Sequence, residues 1–286
     1  MLASRPTARA AAAPAARARR AVRVVSFAQQ PAATAVAANK ASKPALTNGV
    51  IFRQLFDGAS STYTYLLADP LSLEAVLIDP VLEQAERDLE VVDGLGLNLV
   101  LTLNTHCHAD HITGSGKLKA LRPGVRSAIA AASGAAGDVQ LRDGDSVPFG
   151  ALALACIATP GHTSGCMSFY LPPAAPGAAG LVFTGDALLI RGCGRTDFQG
   201  GDAAGLYDTV HARLFSLPDD TLVLPGHDYR GRTASSIAEE RALNPRLTKG
   251  RGEFVALMAG LGLPYPKQID RALPANLEDG ARFPYE

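Results

Sequence analysis

Short apolar runs alternate with segments of helical periodicity from Val50 onward. Period-two or continuous apolar runs predict strands over Ile51–Phe56, Thr62–Leu67, Glu74–Ile78, Leu99–Leu103, Leu152–Ala158, Met167–Leu171, Leu181–Phe183 and Thr221–Leu224. Helical spacing predicts helices over Glu83–Leu95, Gly116–Leu121, Ala203–Leu217, Thr233–Ala242 and Glu253–Leu261. Many short strands with helices between them favour an α/β fold of layered sheets with helices outside.

The first 45 residues differ in charge from the rest of the chain. They contain eight basic residues and no acidic one, whereas residues 46–286 contain 19 basic and 27 acidic residues. A leader rich in Arg, Ala and Ser and without acids is typical of an organelle transit peptide. We therefore expect residues 1–45 to be a transit peptide and linker, disordered or removed, and residues 46–286 to be a single domain with a short C-terminal helical extension. Arg dominates over Ser and Thr, which favours the mitochondrion over the chloroplast; a disordered tail of a cytosolic protein is the alternative.

Composition excludes several classes of protein. The chain is 47% apolar with equal numbers of acidic and basic residues, so it is neither a disordered chain nor a general nucleic-acid binder. No apolar run approaches the roughly 18 residues that a membrane helix requires, so we expect no membrane span. The four cysteines form no Cys-x-x-Cys pair, and a reducing organelle argues against disulfides.

The strongest chemical signal is a cluster of histidines directly after a predicted strand. His106, His108 and His111 lie within six residues of each other, with Asp110 among them. His106 and His108 share one face of an extended backbone, because side chains alternate along a strand. Imidazole and carboxylate groups are ligands for zinc or iron. The segment therefore predicts a metal site.

Three further candidates, His162, Asp186 and His227, each follow a predicted strand and lie beside a glycine. Strand ends converge on one rim of a sheet, and glycine allows the backbone to turn sharply there. We therefore expect all seven side chains to meet at one rim, in two groups. We expect His106, His108 and His162 on one side and Asp110, His111, Asp186 and His227 on the other.

These residues carry a family resemblance. The motif His-x-His-x-Asp-His, followed by Gly-His, Gly-Asp and Gly-His, resembles the metallo-β-lactamase superfamily over roughly residues 50–245. The resemblance implies an αββα sandwich, in which two mixed sheets pack face to face with helices outside and metal lies at one rim. Residues 46–286 would then be a metallo-β-lactamase-like domain.

Three local sequences resemble one branch of this superfamily, the persulfide dioxygenases. They are Gly185–Phe198, which includes Gly-Cys-Gly-Arg-Thr-Asp-Phe, then Pro225–Tyr229 and Asn244–Leu247. Glyoxalase II enzymes share the Gly-Cys-Gly element, but they usually have Glu after the last histidine and a longer helical C-terminal domain. This chain has Asp228 there, and only 59 residues follow His227. The persulfide dioxygenases are therefore the favoured branch.

The resemblance to persulfide dioxygenases implies one Fe(II) per chain, held by His106, His162 and Asp186. Two histidines and one carboxylate are also the ligands of non-haem Fe(II) oxygenases. His108, Asp110, His111 and His227 would then form hydrogen bonds around the iron ligands. All seven ligands of a dizinc site are present, so spacing alone leaves two Zn(II) open, as in a glyoxalase II-like hydroxyacylglutathione hydrolase.

The implied reaction converts glutathione persulfide, O2 and water into sulfite and glutathione in the mitochondrial matrix, as part of sulfide catabolism. Glutathione carries two carboxylates, so its site requires Arg and a hydrogen-bonding Tyr. Arg195, Tyr229 and Arg246 are the candidates, and Arg195 has an alternative role as an ion-pair partner of Asp197 or Asp228. Because relatives are commonly dimers, we also expect a homodimer, and we expect no nucleic-acid or membrane partner.

Overall fold

Two mixed β-sheets pack face to face in the computed structural model, which describes residues 22–26, 46–47 and 49–281. The first sheet contains β1 (Leu46–Thr47), β2 (Val50–Asp57), β3 (Thr62–Ala68), β4 (Glu74–Ile78), β5 (Asn98–Leu103), β6 (Arg126–Ala130) and β7 (Val139–Leu141) in that order. The second sheet contains β8 (Ser146–Phe149), β9 (Leu152–Ala158), β10 (Met167–Leu171), β11 (Leu181–Gly185), β12 (Leu222–Pro225) and β13 (Ser235–Ser236), again in chain order.

Both sheets combine antiparallel and parallel pairs. In the first sheet, β1 to β4 are antiparallel and β4 to β7 are parallel. In the second sheet only β11 and β12 are parallel. The Pro- and Ala-rich residues 172–180 connect the antiparallel pair β10 and β11 as a hairpin loop.

The described residues form six α-helices outside the two sheets. They are α1 (Ala85–Gly94), α2 (Ser115–Leu121), α3 (Ala203–Thr209), α4 (Ile237–Leu243), α5 (Arg251–Ala259) and α6 (Ile269–Asn276). Short 3-10 turns occupy Leu82–Gln84 and Ala131–Ser133, and a π-helical turn over Val210–Leu214 continues α3. None of these helices is long and apolar enough to cross a membrane.

Side chains alternate between the two faces of each strand, and those of both faces pack into three apolar layers. In β4, Val76 and Ile78 enter the core between the two sheets, whereas Ala75 and Leu77 pack under α1 and α2. A third cluster lies between the second sheet and the helices α3, α4 and α5. A strand buried on both faces reads as a continuous apolar run, as β4 does. The layers are helix, sheet, sheet and helix, so the expected αββα sandwich is confirmed.

Most predicted elements are present with small differences at their ends. The helix predicted over Thr233–Ala242 is wrong at its start: Ser235 and Ser236 pair with β12, and α4 begins only at Ile237. The side chain of Ser236 accepts a hydrogen bond from Glu239 N at 3.1 Å, so this serine caps the helix rather than belonging to it.

Besides β13, four strands and one helix were not predicted: β1, β6, β7, β8 and α6. The β8 strand contains Pro148 and α6 contains Pro274, and proline argues against both kinds of element. The β8 strand tolerates its proline because it is the last strand of its sheet.

Part of the predicted leader contacts the folded domain. Residues 22–26 run beside β8, where Val25 N donates to Ser146 O and Ser146 N donates to Arg23 O, both at 2.9 Å. Val25 packs into the core between the sheets, and Arg23 forms an ion pair with Asp145. The rest of the predicted 1–45 segment lies outside the described residues, so its role as a transit peptide stays a prediction.

Candidate metal centre

The predicted ligand side chains converge at one rim of the sandwich. They lie on the loops that follow β5, β9, β11 and β12, which bring together His106, His108, Asp110, His111, His162, Asp186 and His227. The expected division into two groups differs from the observed one. Asp186 lies with His106 and His162, and His108 lies with Asp110, His111 and His227.

The first group consists of His106, His162 and Asp186. One ligand atom from each residue lies within 4.8 Å of the others, a spacing that could hold one metal ion. Both histidines are buried, and Nε2 of His162 is 3.7 Å from Oδ2 of Asp186. Burial opposes the charge on Asp186, but the neighbouring histidines, His227 first, hold the pKa of this carboxyl well below its usual value.

Hydrogen bonds fix which ring nitrogen each histidine of the first group offers. The carbonyl of Arg195 can only accept, so Nδ1 of His162 donates to it at 2.6 Å. The Thr105 hydroxyl donates to Asp79 at 2.8 Å and therefore accepts from Nδ1 of His106 at 3.0 Å. Both rings consequently keep Nε2 as a lone-pair donor for a metal.

The second group contains two buried nitrogen atoms that have no hydrogen-bond partner among the residues that the structure describes. His108 uses Nε2 to donate to Asp79 at 3.1 Å, which leaves Nδ1 unpaired. His111 uses Nδ1 to contact Asp110 at 3.0 Å, which leaves Nε2 unpaired. Buried polar atoms without a partner are costly. Two unpaired imidazole nitrogens beside a carboxylate therefore fit a cation as well.

His227 connects the two groups and has both of its ring nitrogens occupied. Its Nδ1 lies 2.7 Å from Oδ1 of Asp186, and its Nε2 lies 2.8 Å from Oδ2 of Asp110. Carboxylates accept hydrogen bonds, so each contact favours a proton on the ring. Burial opposes the imidazolium, but the two carboxylates raise the pKa of His227 well above its usual value.

Glycines let the backbone approach the first group closely. A Cβ atom at Gly194 would lie 2.7 Å from Nδ1 of His162 and 2.7 Å from the carbonyl oxygen of Asp186. Gly185 has a φ of +49°, and a Cβ atom there would lie 2.5 Å from Oγ1 of Thr105. These two positions require glycine because any side chain would displace the ligands.

A cavity of about 580 Å³ opens beside this rim. Asp110 and His111 of the second group line one side. The segment Pro264–Gln268 and the first turn of α6, with Arg271 and Ala272, line the other. The volume lies within the roughly 300–1,000 Å³ of small-molecule sites.

The three substrate candidates from the sequence occupy different places. Arg195 and Tyr229 line the cavity, and the Tyr229 ring stacks on His227 with 6.1 Å between centroids. The Arg195 side chain forms an ion pair with Asp197 at 2.7 Å and donates to Pro264 O at 2.9 Å. Arg246 is not part of the cavity wall, since its guanidinium donates to Cys193 O at 3.0 Å.

Comparison with known proteins identifies the family. The model of the metallo-β-lactamase superfamily matches residues 57–129 and 120–227. The mitochondrial persulfide dioxygenase ETHE1 of Homo sapiens is 55% identical over 235 residues, which cover 82% of this chain and 91% of the human protein. The crystal structure of ETHE1 from Myxococcus xanthus superposes with a TM-score of 0.76 at 53% identity, covering 80% of this chain and 99% of that one.

The chain belongs to the persulfide dioxygenase family of the metallo-β-lactamase superfamily. A human hydroxyacylglutathione hydrolase-like protein is less similar, with 37% identity over 190 residues that cover 64% of this chain and 60% of that protein. The branch favoured by the Gly185–Phe198 sequence is thus confirmed over the hydrolase branch.

The sequence did not identify Asp79, which orients histidines of both groups. Asp79 accepts hydrogen bonds from the backbone and hydroxyl of Thr105 and from His108, so it supports one histidine of each group. The only signal of Asp79 in the sequence was its position between the end of β4 and Pro80. The structure adds that Asp79 has a φ of +51°, which is uncommon for a residue other than glycine. The cavity wall from Pro264 to Arg271 gave no comparable signal.

Proposed function

We propose that this protein is a mononuclear iron persulfide dioxygenase acting in the mitochondrial matrix. In the overall reaction, glutathione persulfide, O2 and water yield glutathione, sulfite and two protons. The observation that carries the proposal is the first group of ligands, His106, His162 and Asp186, in a chain 55% identical to a persulfide dioxygenase. Two histidines and one carboxylate fit non-haem Fe(II). Ferrous iron held there would supply the redox chemistry that a reaction with O2 requires.

The protein's own contribution begins with orientation of the ligands. The carbonyl of Arg195 and the Thr105 hydroxyl each accept the Nδ1 proton of a candidate ligand histidine, so Nε2 of both rings keeps its lone pair for a metal. Such outer hydrogen bonds typically change metal affinity or activity about 10–100-fold. The loop that contains Arg195 therefore has a role through its backbone, independent of its guanidinium.

The cavity provides charges that suit the carboxylates of glutathione. Arg195, Lys267 and Arg271 all line it. Asp197 neutralises Arg195, and Arg271 lies 3.7 Å from Glu83. Lys267 makes no ion pair within the described ranges of the chain, so it is the cation most available to a carboxylate. Tyr229 supplies a hydroxyl and an exposed ring on the same wall, whereas Arg246 supports the loop at Cys193 instead.

The hydrogen bonds of His227 with two carboxylates support a single metal ion. Both of its ring nitrogens contact carboxylates, so it offers no free lone pair to a second ion without a change of partners. In this arrangement His227 holds a proton between Asp110 and Asp186 and joins the cavity wall to the iron ligands. The second group would thus hold a proton on His227 and form hydrogen bonds to the iron ligand Asp186, without binding a metal ion itself.

A second candidate function is hydrolysis of a hydroxyacylglutathione by two zinc ions. The observation that favours it is the pair of buried, unpaired nitrogens on His108 and His111, which fit a second cation. Zinc would supply a bound hydroxide as nucleophile. The weaker match to the hydrolase-like protein places this candidate second.

Metal content and substrate turnover of the purified protein separate the two candidates. We expect about one iron per chain by elemental analysis, and O2 consumption with sulfite formation when glutathione persulfide is added. Two zinc ions per chain with cleavage of lactoylglutathione would instead establish the hydrolase. Protein purified from cells supplied with both metals is required, so that availability does not decide the content.

Location and assembly complete the proposal. The human and bovine relatives are mitochondrial proteins by name, and the basic leader of this chain agrees with import. The homodimer stays a prediction from the family resemblance. Imaging of a C-terminally tagged chain and light scattering of the purified protein test these two points.

A further inference from the structure

The C-terminal helix α6 contacts the metal loop through one buried side chain, Asn276. Its Nδ2 donates to His108 O at 2.9 Å and to His111 O at 2.8 Å, and its Oδ1 accepts from Thr113 N at 2.8 Å. The two carbonyls only accept and the amide N–H only donates, so the network itself fixes the orientation of the carboxamide. Asn276 is 4% exposed, which removes water as a substitute partner.

These three bonds constrain the segment that contains most of the second group. His108, Asp110 and His111 all lie between the two carbonyls that Asn276 holds. The segment has no regular secondary structure, so its carbonyls depend on side-chain donors for their hydrogen bonds. The conformation of this loop therefore depends on a residue about 165 positions later in the chain.

The other end of α6 forms part of the substrate cavity. Gln268, Arg271 and Ala272 line the cavity, and the last residue of the same helix is Asn276. The apolar contacts of Ala272 and Ala275 with Ile112 hold the helix against the loop between these two ends. One short helix thus joins the cavity wall to the backbone of the metal loop.

We propose that Asn276 is a positioning residue that sets the geometry of the metal loop and links it to the cavity wall. The inference rests on the proposed metal centre, but it concerns ligand geometry rather than turnover. Replacing the carboxamide nitrogen would leave the carbonyls of His108 and His111 without a donor, and the loop would relax. His106 lies on the same loop, two residues before His108, so this ligand of the first group would shift while the sandwich remains folded.

Cobalt(II) binding tests this inference without reliance on dioxygenase activity. The variant Asn276→Asp keeps the size of the side chain and the acceptor for Thr113 N but removes both donors. Because the same loop carries His106, we expect the Co(II) affinity of this variant, measured by competition with a chelator, to fall about 10–100-fold, the range found when a hydrogen bond that supports a metal ligand is lost. We also expect its Co(II) d–d absorption bands to shift, because these bands report the ligand geometry.

Asp279→Asn is the matched control. Asp279 follows α6 and accepts from Ser127 Oγ at 2.5 Å and Lys119 Nζ at 2.9 Å, so it fastens the same chain end without contacting the loop. We expect this variant to lose thermal stability and keep the wild-type Co(II) affinity and spectrum. Equal Co(II) changes in both variants would reduce Asn276 to a general structural role and overturn the proposal.

Asn276→Ser covers the case in which the aspartate variant does not fold. It is smaller and keeps one donor, so we expect an intermediate loss of affinity and a smaller spectral shift. Wild-type affinity and spectrum in this variant would overturn the proposal. A wild-type protein that binds no Co(II) would overturn both the metal centre and this inference. Binding of Co(II) without any turnover of glutathione persulfide by the iron form would overturn the proposed function alone.

Discussion

The two groups of ligand residues at the rim contain the same side-chain types but differ in what surrounds them. His106 and His162 have Nδ1 fixed by a hydroxyl and a backbone carbonyl, which leaves the Nε2 lone pair of both rings free beside Asp186. The second group is bonded mainly to itself and to carboxylates. His227 contacts Asp110 and Asp186 with its two ring nitrogens.

This difference explains how one superfamily motif can support one metal ion or two. A complete set of ligand residues is not equivalent to a complete set of free lone pairs. In the first group neutral acceptors orient the rings, and in the second group anionic acceptors favour protons on His227. The comparison predicts that metal retention depends on the first group and that the second group modulates turnover.

The largest effect should come from the carboxylate of the first group. Asp186→Ala removes one of the three proposed ligands and also a partner of His227. We expect loss of iron and of sulfite formation by well over 100-fold, beyond the range of outer hydrogen bonds, with a folded chain by circular dichroism. Elemental analysis and an oxygen electrode measure the two losses.

Asp110 is the corresponding carboxylate of the second group, so the variant Asp110→Ala is the matched comparison. It should keep about one iron per chain and lose about 10–100-fold in turnover. Loss of iron in Asp110→Ala together with retention in Asp186→Ala would reverse the assignment of the two groups.

The glycines of the Gly-Cys-Gly element offer a test that changes no ligand. In Gly194→Ala the added methyl would meet Nδ1 of His162 at 2.7 Å, so the ring must move. We expect about 10–100-fold lower turnover and weaker iron binding. At Gly192 the nearest atom to an added Cβ is 3.9 Å away, on Leu189, so Gly192→Ala should change stability by less than about 0.5 kcal/mol and keep its activity. Similar losses in both variants would show that the loss in Gly194→Ala does not come from the contact with His162.

His227→Asn tests the protonated support in the second group. The ring that connects Asp110 with Asp186 is removed, so we expect turnover to fall about 10–100-fold while the iron content stays near one per chain. A wild-type content of two metal ions that decreases in this variant would show that His227 is a ligand and would favour the dinuclear alternative.

The parts of this site that the sequence predicts are those set by local pattern. The seven ligand candidates lie after strand ends, and strand ends were predicted from apolar runs such as Glu74–Ile78 and Leu152–Ala158, which match β4 and β9. The β4 strand gives a strong signal, because four of its five positions are buried. The rim and its residues follow from that signal, together with the family resemblance.

The residues that the sequence did not identify act across long separations. Asp79 pairs with His108 through folding of the β4 and β5 ends, and Asn276 reaches the loop from a helix that Pro274 made hard to predict. The division of the ligand candidates into groups also depended on how the loops after β5, β9, β11 and β12 meet at the rim, which no local pattern encodes. Arg246 looked like a substrate residue because it is basic and near the site in sequence, but its guanidinium contacts Cys193 O.

The smallest effect should come from the cavity wall, where Lys267 contributes charge but touches neither group of ligands. An exposed ion pair contributes about 0.2–1 kcal/mol, so Lys267→Ala should raise KM for glutathione persulfide less than about tenfold and leave kcat and iron content unchanged. Lys249→Ala is the control, because Lys249 pairs with Glu253 away from the cavity and should leave KM unaltered. Screening weakens exposed charges, so the difference between the two variants should shrink at about 1 M salt, where the Debye length is about 3 Å.

A KM that is unchanged in Lys267→Ala at low salt would exclude this lysine from substrate binding and place carboxylate recognition on Arg195 or Arg271. A fall in kcat or in iron content would instead mean that the cavity wall and the metal ligands are more closely coupled than their separation in the structure indicates.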